Sequence, residues 1–329
     1  MLVKKYIYIA YIIGYYLGLN KICRFYKKKQ TVLTFHNVIP DIYFDNSVHL
    51  KATGSLPESV FRKQIKYVTK DYTITTDLNK KRHIVITFDD GYKNNHDIVI
   101  PILKEYNAKA YFFLSFSNLN SIKPLWIDKI LYWFSYVPYG EYKIRNSNYS
   151  LTNEVSRLKE YWKLFEKIKN NYALRYTIIQ DLENLYSFNK IKINSNYYTL
   201  RFTGLTSNDI KKMSHEGFFI GAHSVYHDML AKLTPSELDN DFKTCKQNVG
   251  TIYNTKVMSY PYGGPVQISQ KVLDCAQKHG FTYAFANSPL VKHTKYSSLR
   301  ITLPYMTTDK YIISAYLSGY HSFLKSLLK

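Results

Sequence analysis

Three short stretches of this 329-residue chain carry polar groups that packing alone does not require. In the first, Thr87-Phe88-Asp89-Asp90-Gly91-Tyr92, an apolar run ends in two acids and a glycine. Adjacent carboxylates in a low-dielectric cleft repel each other unless a cation or hydrogen bonds hold them. Neighbours in a regular strand point to opposite faces, so both acids serve one site only if the backbone bends there, and Gly91 permits the bend. The second, Gly221-Ala222-His223-Ser224-Val225-Tyr226-His227, spaces two histidines at i and i+4. On a helical turn that spacing presents two imidazoles to one ion. Two neutral imidazoles and one carboxylate leave positions open for water and a substrate oxygen, as Zn²⁺ or a similar divalent ion allows. The third, Ser259-Tyr260-Pro261-Tyr262-Gly263-Gly264, is a turn in which Pro261 and Gly263 direct a backbone N–H that can donate to an oxyanion.

Each stretch follows an apolar run that reads as a buried strand. Residues 31–36, 84–88, 109–114, 217–222, 257–260 and 281–285 are short and rich in Ile, Val, Phe and Tyr. Helices separate most of them. Thr234-Pro235-Ser236-Glu237 is a capping box with proline at the first helical position, and Ser55-Leu56-Pro57-Glu58 predicts a second helix start of the same kind. Gly280 ends a helix that begins near Gln267. Alternating strands and helices predict an α/β fold with a largely parallel sheet, closed or covered by helices, and chemistry at the carboxyl ends of its strands. From about 115 to 203 the alternation breaks. Ile127, Ile130, Leu131 and Phe134 mark one helical face, and Leu158, Tyr161, Trp162, Phe165 and Ile168 another. A segment of this length is expected to be a helical lid or substrate-shaping insertion rather than a linker. Trp126, at its start, either faces the substrate or anchors the core.

Composition narrows the classes further. With 46% hydrophobic and 21% charged residues, the chain is neither disordered nor a polytopic membrane protein. Forty-five basic against 24 acidic residues give a net charge of +21, a field that attracts anionic glycans, phospholipid headgroups or nucleic acid alike. No nucleic-acid motif accompanies the charge, so no nucleic-acid partner is expected. Cys23, Cys245 and Cys275 form no metal or disulfide spacing, and the last two fall on apolar helical stripes as small hydrophobes. His83, His96, His279, His293 and His321 lack a partner motif and read as surface or capping residues.

The termini read separately from the 31–307 domain. Residues 6–19 are uncharged, between Lys4–Lys5 and a basic cluster of Lys21, Arg24 and Lys27 to Lys29. The run is shorter than the roughly 20 residues of a spanning helix, and no small-x-small cleavage site follows. Two readings of residues 1–30 stand: an interfacial or short signal-anchor on an anionic membrane surface, or a helix docked on the domain. The anchor reading places the protein at the cell envelope, with the charge bias leaning to the cytoplasmic face and export by a signal-anchor as the other topology. Residues 308–329 show a second amphipathic stripe, with Lys310, Lys325 and Lys329 outside it.

The three motifs in this order, each after a strand, resemble the polysaccharide deacetylase family, carbohydrate esterase family 4 with its NodB-homology domain. The resemblance covers about Thr31 to Leu303 except the insertion. It implies a distorted (β/α)7 barrel and metal-dependent removal of acetyl groups from N-acetylhexosamine units of a polysaccharide or lipid-linked glycan. It further implies Asp89 as general base, Asp90, His223 and His227 as ligands of one divalent ion, zinc ahead of nickel, cobalt or iron, and the Tyr262 amide as oxyanion donor. The sequence departs from the family's commonest pattern, which has arginine where Ser259 stands and a fourth Asp-x-x-Asp-Trp motif that is absent here. The Tyr260-Pro261-Tyr262-Gly263 form is closer to the poly-N-acetylglucosamine deacetylase branch, in which the acid is a histidine from an amino-terminal strand. His36, in Leu33-Thr34-Phe35-His36-Asn37-Val38, takes that place, and Arg300 is expected to bring the missing guanidinium to Asp89. Tyr260, Pro261, Gly263, Arg300 and Trp126 are the expected substrate contacts. The alternatives are a noncatalytic glycan-binding protein on this fold and a carbohydrate O-acetyl esterase.

Overall fold

The computed structural model describes residues 2–27, 30–44, 50 and 52–327. The basic residues Lys28, Lys29 and Lys329 lie outside them, and the side chains of Lys4 and Lys5 are not described. Seven short strands form one parallel sheet whose spatial order is the chain order: β1 Thr31–Phe35, β2 Ile84–Phe88, β3 Tyr111–Leu114, β4 Phe219–Ala222, β5 Val257–Ser259, β6 Tyr283–Ala286 and β7 Ser298–Leu299. Register runs from Thr31 opposite Ile84 to Phe285 opposite Ser298. Beyond β7 the chain returns to β1. Thr34 N–H donates to the Ile301 carbonyl at 3.0 Å, and Ile301 N–H donates to the Val32 carbonyl at 2.8 Å. The sheet is therefore a nearly closed seven-stranded barrel, flanked by the helices that parallel connections demand.

Both strand faces are buried, which explains the continuous apolar runs. One face packs Val32, Val85, Tyr111, Phe113, Val257 and Phe285 together. The other packs Leu33, Phe35, Ile86, Phe88 and Phe112 against Phe61, Ile65 and Val68 of the Glu58–Asp71 helix. A separate cluster, with Trp133, Phe134, Tyr161, Phe165, Leu182 and Phe202 at its centre, holds the insertion together. The insertion comprises helices Trp126–Tyr136, Glu154–Ile168, Tyr172–Leu185 and Ser195–Phe202.

Several expectations are corrected. The insertion is not wholly helical: Gly140–Ile144 and Ser147–Leu151 form an antiparallel hairpin. Each strand buries only one face, through Ile144, Tyr149 and Leu151, so its mixed composition hid it. Ser55 does not cap the helix after it. Leu56–Pro57 is drawn into a parallel pairing with Val38–Ile39, Leu56 N–H donates to the Asn37 carbonyl, and the helix starts at Glu58 behind extended Pro57. The Thr234 capping box is present, with the Thr234 hydroxyl accepting from Glu237 N–H and the Glu237 carboxylate accepting from Thr234 N–H.

At the ends of the chain, Leu2–Tyr16 and Leu19–Tyr26 pack on Lys310–Ser318 and Tyr320–Leu327 through Tyr11, Ala315 and Tyr320. No helix among the described residues is long and apolar enough to cross a membrane.

Candidate active site

The carboxyl end of β2 runs into Asp89 and Asp90, and strand geometry breaks there. Asp90 has φ +76° and Gly91 φ +78°, left-handed values that turn the second carboxylate towards the same site as the first. A Cβ on Gly91 would lie 2.8 Å from the Leu114 side chain, so the position needs glycine for space as well as torsion. The two other motifs use the same device: Ser224, His227 and Tyr262 have φ of +59°, +56° and +63°. Such conformations persist only where surrounding contacts hold them, and here they cluster around one point.

The histidines meet by a route that spacing did not foresee. Residues 223–229 form no helical turn. Instead the Ser224 hydroxyl accepts from His227 N–H at 3.0 Å, folding the loop so that both rings face Asp90. His223 Nε2 lies 3.4 Å and His227 Nε2 3.3 Å from Asp90 Oδ1. All three residues are buried, and Asp90 Oδ1 has no hydrogen-bond donor. These separations exceed the usual 2.7–2.9 Å of a charge-assisted hydrogen bond. They match the roughly 3.3 Å between ligand atoms set tetrahedrally at about 2.0–2.1 Å around zinc. His223 Nδ1–H donates to the Ser259 carbonyl at 2.8 Å, which fixes the tautomer and leaves Nε2 with its lone pair inward. Burial holds the His223 imidazole down to about 4, so it is neutral, as a ligand must be. Burial disfavours the charged form of Asp90 too, but His227 chiefly, with His36 behind it, outweighs that and keeps this acid ionised. The residues present thus fit one divalent ion. Asp239, Cys275 and His279 also come together, but Lys278 Nζ sits 2.6 Å from Asp239, a cation already in place.

Asp89 is held differently. Arg300 Nη1 and Nη2 donate to its two oxygens at 2.7 and 2.6 Å, a bidentate fork. Arg300 is itself oriented by Asn287 Oδ1 at 2.9 Å and Thr87 Oγ1 at 3.2 Å. The guanidinium that position 259 lacks arrives from the residue after β7, and Ser259 Oγ lies 3.4 Å from Asp89 Oδ2. Burial raises the Asp89 carboxyl, yet Arg300 and the histidines overcome that and keep it below the usual carboxylate range. His36 Nε2 stands 4.0 Å from Asp89 Oδ2 and its side chain is about one-third exposed. Its loop is set by Asn95 Nδ2 donating to the His36 carbonyl at 2.9 Å and by Val38 N–H donating to Asn94 Oδ1 at 3.0 Å.

Among the remaining expected site residues, the Tyr262 N–H has no acceptor among the described residues, and its ring lies edge-on to His227 at 4.8 Å. Pro261 and Gly263 shape that turn, Gly263 with φ +63° and no room for a Cβ beside Asn287. Tyr260 is placed otherwise: it is fully buried in the barrel core with its hydroxyl on the Tyr296 carbonyl, leaving no surface for a substrate. Trp126 is half-buried, stacked 6.0 Å over Phe165 with the Arg175 guanidinium 4.3 Å from its ring. Sequence reasoning missed Asn94, Asn95 and Asn287, which orient His36 and Arg300. It also missed the buried pairs Arg201–Asp128 at 2.8 Å and Arg175–Asp228 at 2.5 Å beside the site. The one signal for Asp228 was its place directly after His227.

Comparison with known proteins adds to this geometry. A family model described as polysaccharide deacetylase matches residues 77–131 and 183–284, and the unmatched 132–182 lie inside the insertion. No curated protein matches the chain significantly. Among solved structures, the deacetylase PplD of Streptococcus pyogenes, in complex with acetate, is 15% identical, with TM-score 0.50, covering 84% of this chain and 92% of its own. A polysaccharide deacetylase from Bacillus cereus is 16% identical, with TM-score 0.53, covering 89% of this chain and 70% of its own. At such identities the solved structures establish the fold, and the family match supports a carbohydrate deacetylase.

Proposed function

We propose, from the polysaccharide deacetylase family that the sequence comparison supports, that the chain hydrolyses the acetamide of N-acetylhexosamine units in a polysaccharide or lipid-linked glycan. The observation that carries this reading is the juxtaposition of two differently held acids. Asp90 shares its Oδ1 with two imidazole nitrogens at 3.3–3.4 Å, while Asp89 is locked by Arg300 next to His36.

Asp90, His223 and His227 would hold one divalent ion, with zinc the best fit to two nitrogens and one oxygen. Such an ion, when bound, supplies Lewis acidity to the acetyl oxygen and acidity to water. Asp89, ionised and fixed by Arg300, accepts the proton of the attacking water. The Tyr262 N–H donates to the oxygen on which negative charge develops. His36, the most exposed member of the set, protonates the departing amine nitrogen. The Arg300 fork stops Asp89 from rotating, so the base stays aimed while its proton load changes. The Tyr260-Pro261-Tyr262-Gly263 form and a histidine at position 36 support the poly-N-acetylglucosamine branch.

The same proposal seats the protein on an anionic membrane surface at the cell envelope. Tyr6, Ile9, Ile13 and Tyr16 fall on one exposed stripe of Leu2–Tyr16, continued by Leu17, Ile22, Phe25 and Tyr26, with Lys21 beside them. The opposite side of that helix packs on the C-terminal helices through Tyr11, Ala315 and Tyr320, which leaves the exposed stripe free for a membrane surface.

The test is acetate release from chitooligosaccharides and O-acetylated glycans with and without chelator. Chelator-sensitive release from the N-acetylated substrates is expected. Release confined to O-acetyl esters would favour the esterase alternative, and metal binding without release would favour a noncatalytic glycan-binding protein.

A further inference from the structure

The insertion carries a depression of about 790 Å³, larger than the roughly 340 Å³ pocket beside His36. Its walls combine Lys123, Lys129 and Lys192 with the rings of Tyr132, Phe188 and Tyr198. One acid, Glu183, also lines it, but that carboxylate is engaged by the Ser187 hydroxyl at 2.7 Å and the Phe188 N–H at 2.8 Å. Lysine ion pairs among the described residues are made by Lys93, Lys104, Lys163, Lys169 and Lys278, and not by these three. Lys129 is half-buried; burial first and the like charge of Lys123 second disfavour its ammonium form, and the attraction of Glu183 offsets them only in part. Lys123 and Lys192 are exposed and solvated, so the cost of holding a cation against the apolar wall falls on Lys129, and an added anion would relieve it.

Lys123 and Lys129 also line a second depression of about 290 Å³, which includes Trp126 and Arg175. Arg175 is bonded to Asp228, the residue after the ligand His227. The two depressions thus adjoin through Lys123 and Lys129, and the second reaches Arg175, whose charge is already paired with Asp228 beside the candidate active site.

We propose that Lys123 and Lys129 form a subsite for an anionic sugar, a phosphate- or carboxylate-bearing residue whose ring packs on the aromatic wall while its charge meets the ammonium groups. The chemistry follows from the lining: compact ammonium charges for the anion, and aromatic faces for the apolar face of a pyranose. Placing this sugar in the substrate glycan rests on the deacetylase reading; binding itself does not.

The experiment uses the full chain, freed of metal by chelator, and probes without an acetamide: glucose 1-phosphate, glucuronic acid, glucose and inorganic phosphate, titrated by calorimetry. At least one charged sugar is expected to bind at least tenfold more tightly than glucose and than inorganic phosphate, and the phosphate and carboxylate arms identify which anion is preferred. The K123Q/K129Q variant, with thermal unfolding as the control for folding, is expected to lose at least tenfold of that affinity. Equal binding of glucose, equal binding of inorganic phosphate, or an unchanged affinity in a folded variant would each overturn the subsite. With active enzyme, the ratio of kcat/KM for a charged over an uncharged N-acetylated oligosaccharide should fall about tenfold in the variant, through KM. Charged-sugar binding that depends on the lysines in a protein that deacetylates nothing would leave the subsite standing and remove the deacetylase reading.

Discussion

At the residue scale the site depends on two carboxylates that are neighbours in sequence and opposites in environment. Asp90 faces two imidazoles, so Asp90→Ala, His223→Ala and His227→Ala should each abolish stoichiometric metal binding and activity together, read by elemental analysis and acetate release. Asp89→Asn leaves the three ligands in place and should keep the metal while losing about 100- to 10,000-fold in kcat, the usual range for a proton-transfer group. Full turnover in that variant would end its assignment as base. Arg300 gives a pH prediction whose sign can be followed. Burial favours neutral Asp89, and Arg300 is the principal charge opposing it. Removing the guanidinium in Arg300→Gln raises the Asp89 pKa, so the acid limb of the pH–rate profile should move to higher pH. Arg300→Lys, which keeps charge but not the fork, should move it less.

At the element scale the active groups depend on strand ends that leave regular geometry. Gly91→Ala should destabilise the fold by about 1–3 kcal/mol in denaturant unfolding, because the residue must hold a left-handed torsion against the Leu114 side chain. Asp241, on the Pro235–Gln247 helix, accepts from Val225 N–H and so fixes the loop between the two histidines. Its burial raises the carboxyl to about 7. The folded state therefore binds a proton that the unfolded state, with an ordinary aspartate pKa of 3.8, has released, and this contribution to stability is lost as pH rises from about 4 to 7. Asp241→Asn should flatten that stretch of the stability–pH curve. An unchanged slope would show that another group controls it. These elements also mark where local patterns mislead: the His223–His227 spacing suits a helix, but Ser224 closes a loop instead, and Ser55 is taken by strand pairing before it can cap a helix.

For the whole molecule, the terminal helices and the candidate active site belong to opposite ends of the strands. Arg24 at the end of Leu19–Tyr26 donates to the carbonyls of Asp71 and Arg82, just before β2, whereas Asp89 and Asp90 follow it. On a membrane seated by its terminal stripe, the enzyme should sediment with phosphatidylglycerol vesicles, with high salt releasing the electrostatic part. Replacing Ile9 and Ile13 by serine should weaken that binding without altering acetate release from soluble oligosaccharides. Failure of the unaltered chain to bind such vesicles would remove the membrane from the proposal.

The sequence by itself determined the six longer barrel strands, the chain order of the motifs and the residue types, Asp90, His223 and His227, that gather at one point, because buried apolar runs and strand-end polar groups are local signals. The resemblance, through the arginine that position 259 lacks, also pointed to Arg300 as a partner for Asp89. Only the tertiary structure decided how these groups meet. The two-residue strand β7 has no pattern of its own and exists because barrel closure pairs it, and that closure carries Arg300 across to Asp89. Asn94, Asn95 and Asn287, and the unpaired lysines of the insertion, are equally silent in one dimension. Their roles come from distances between residues far apart in the chain, which composition and periodicity do not encode.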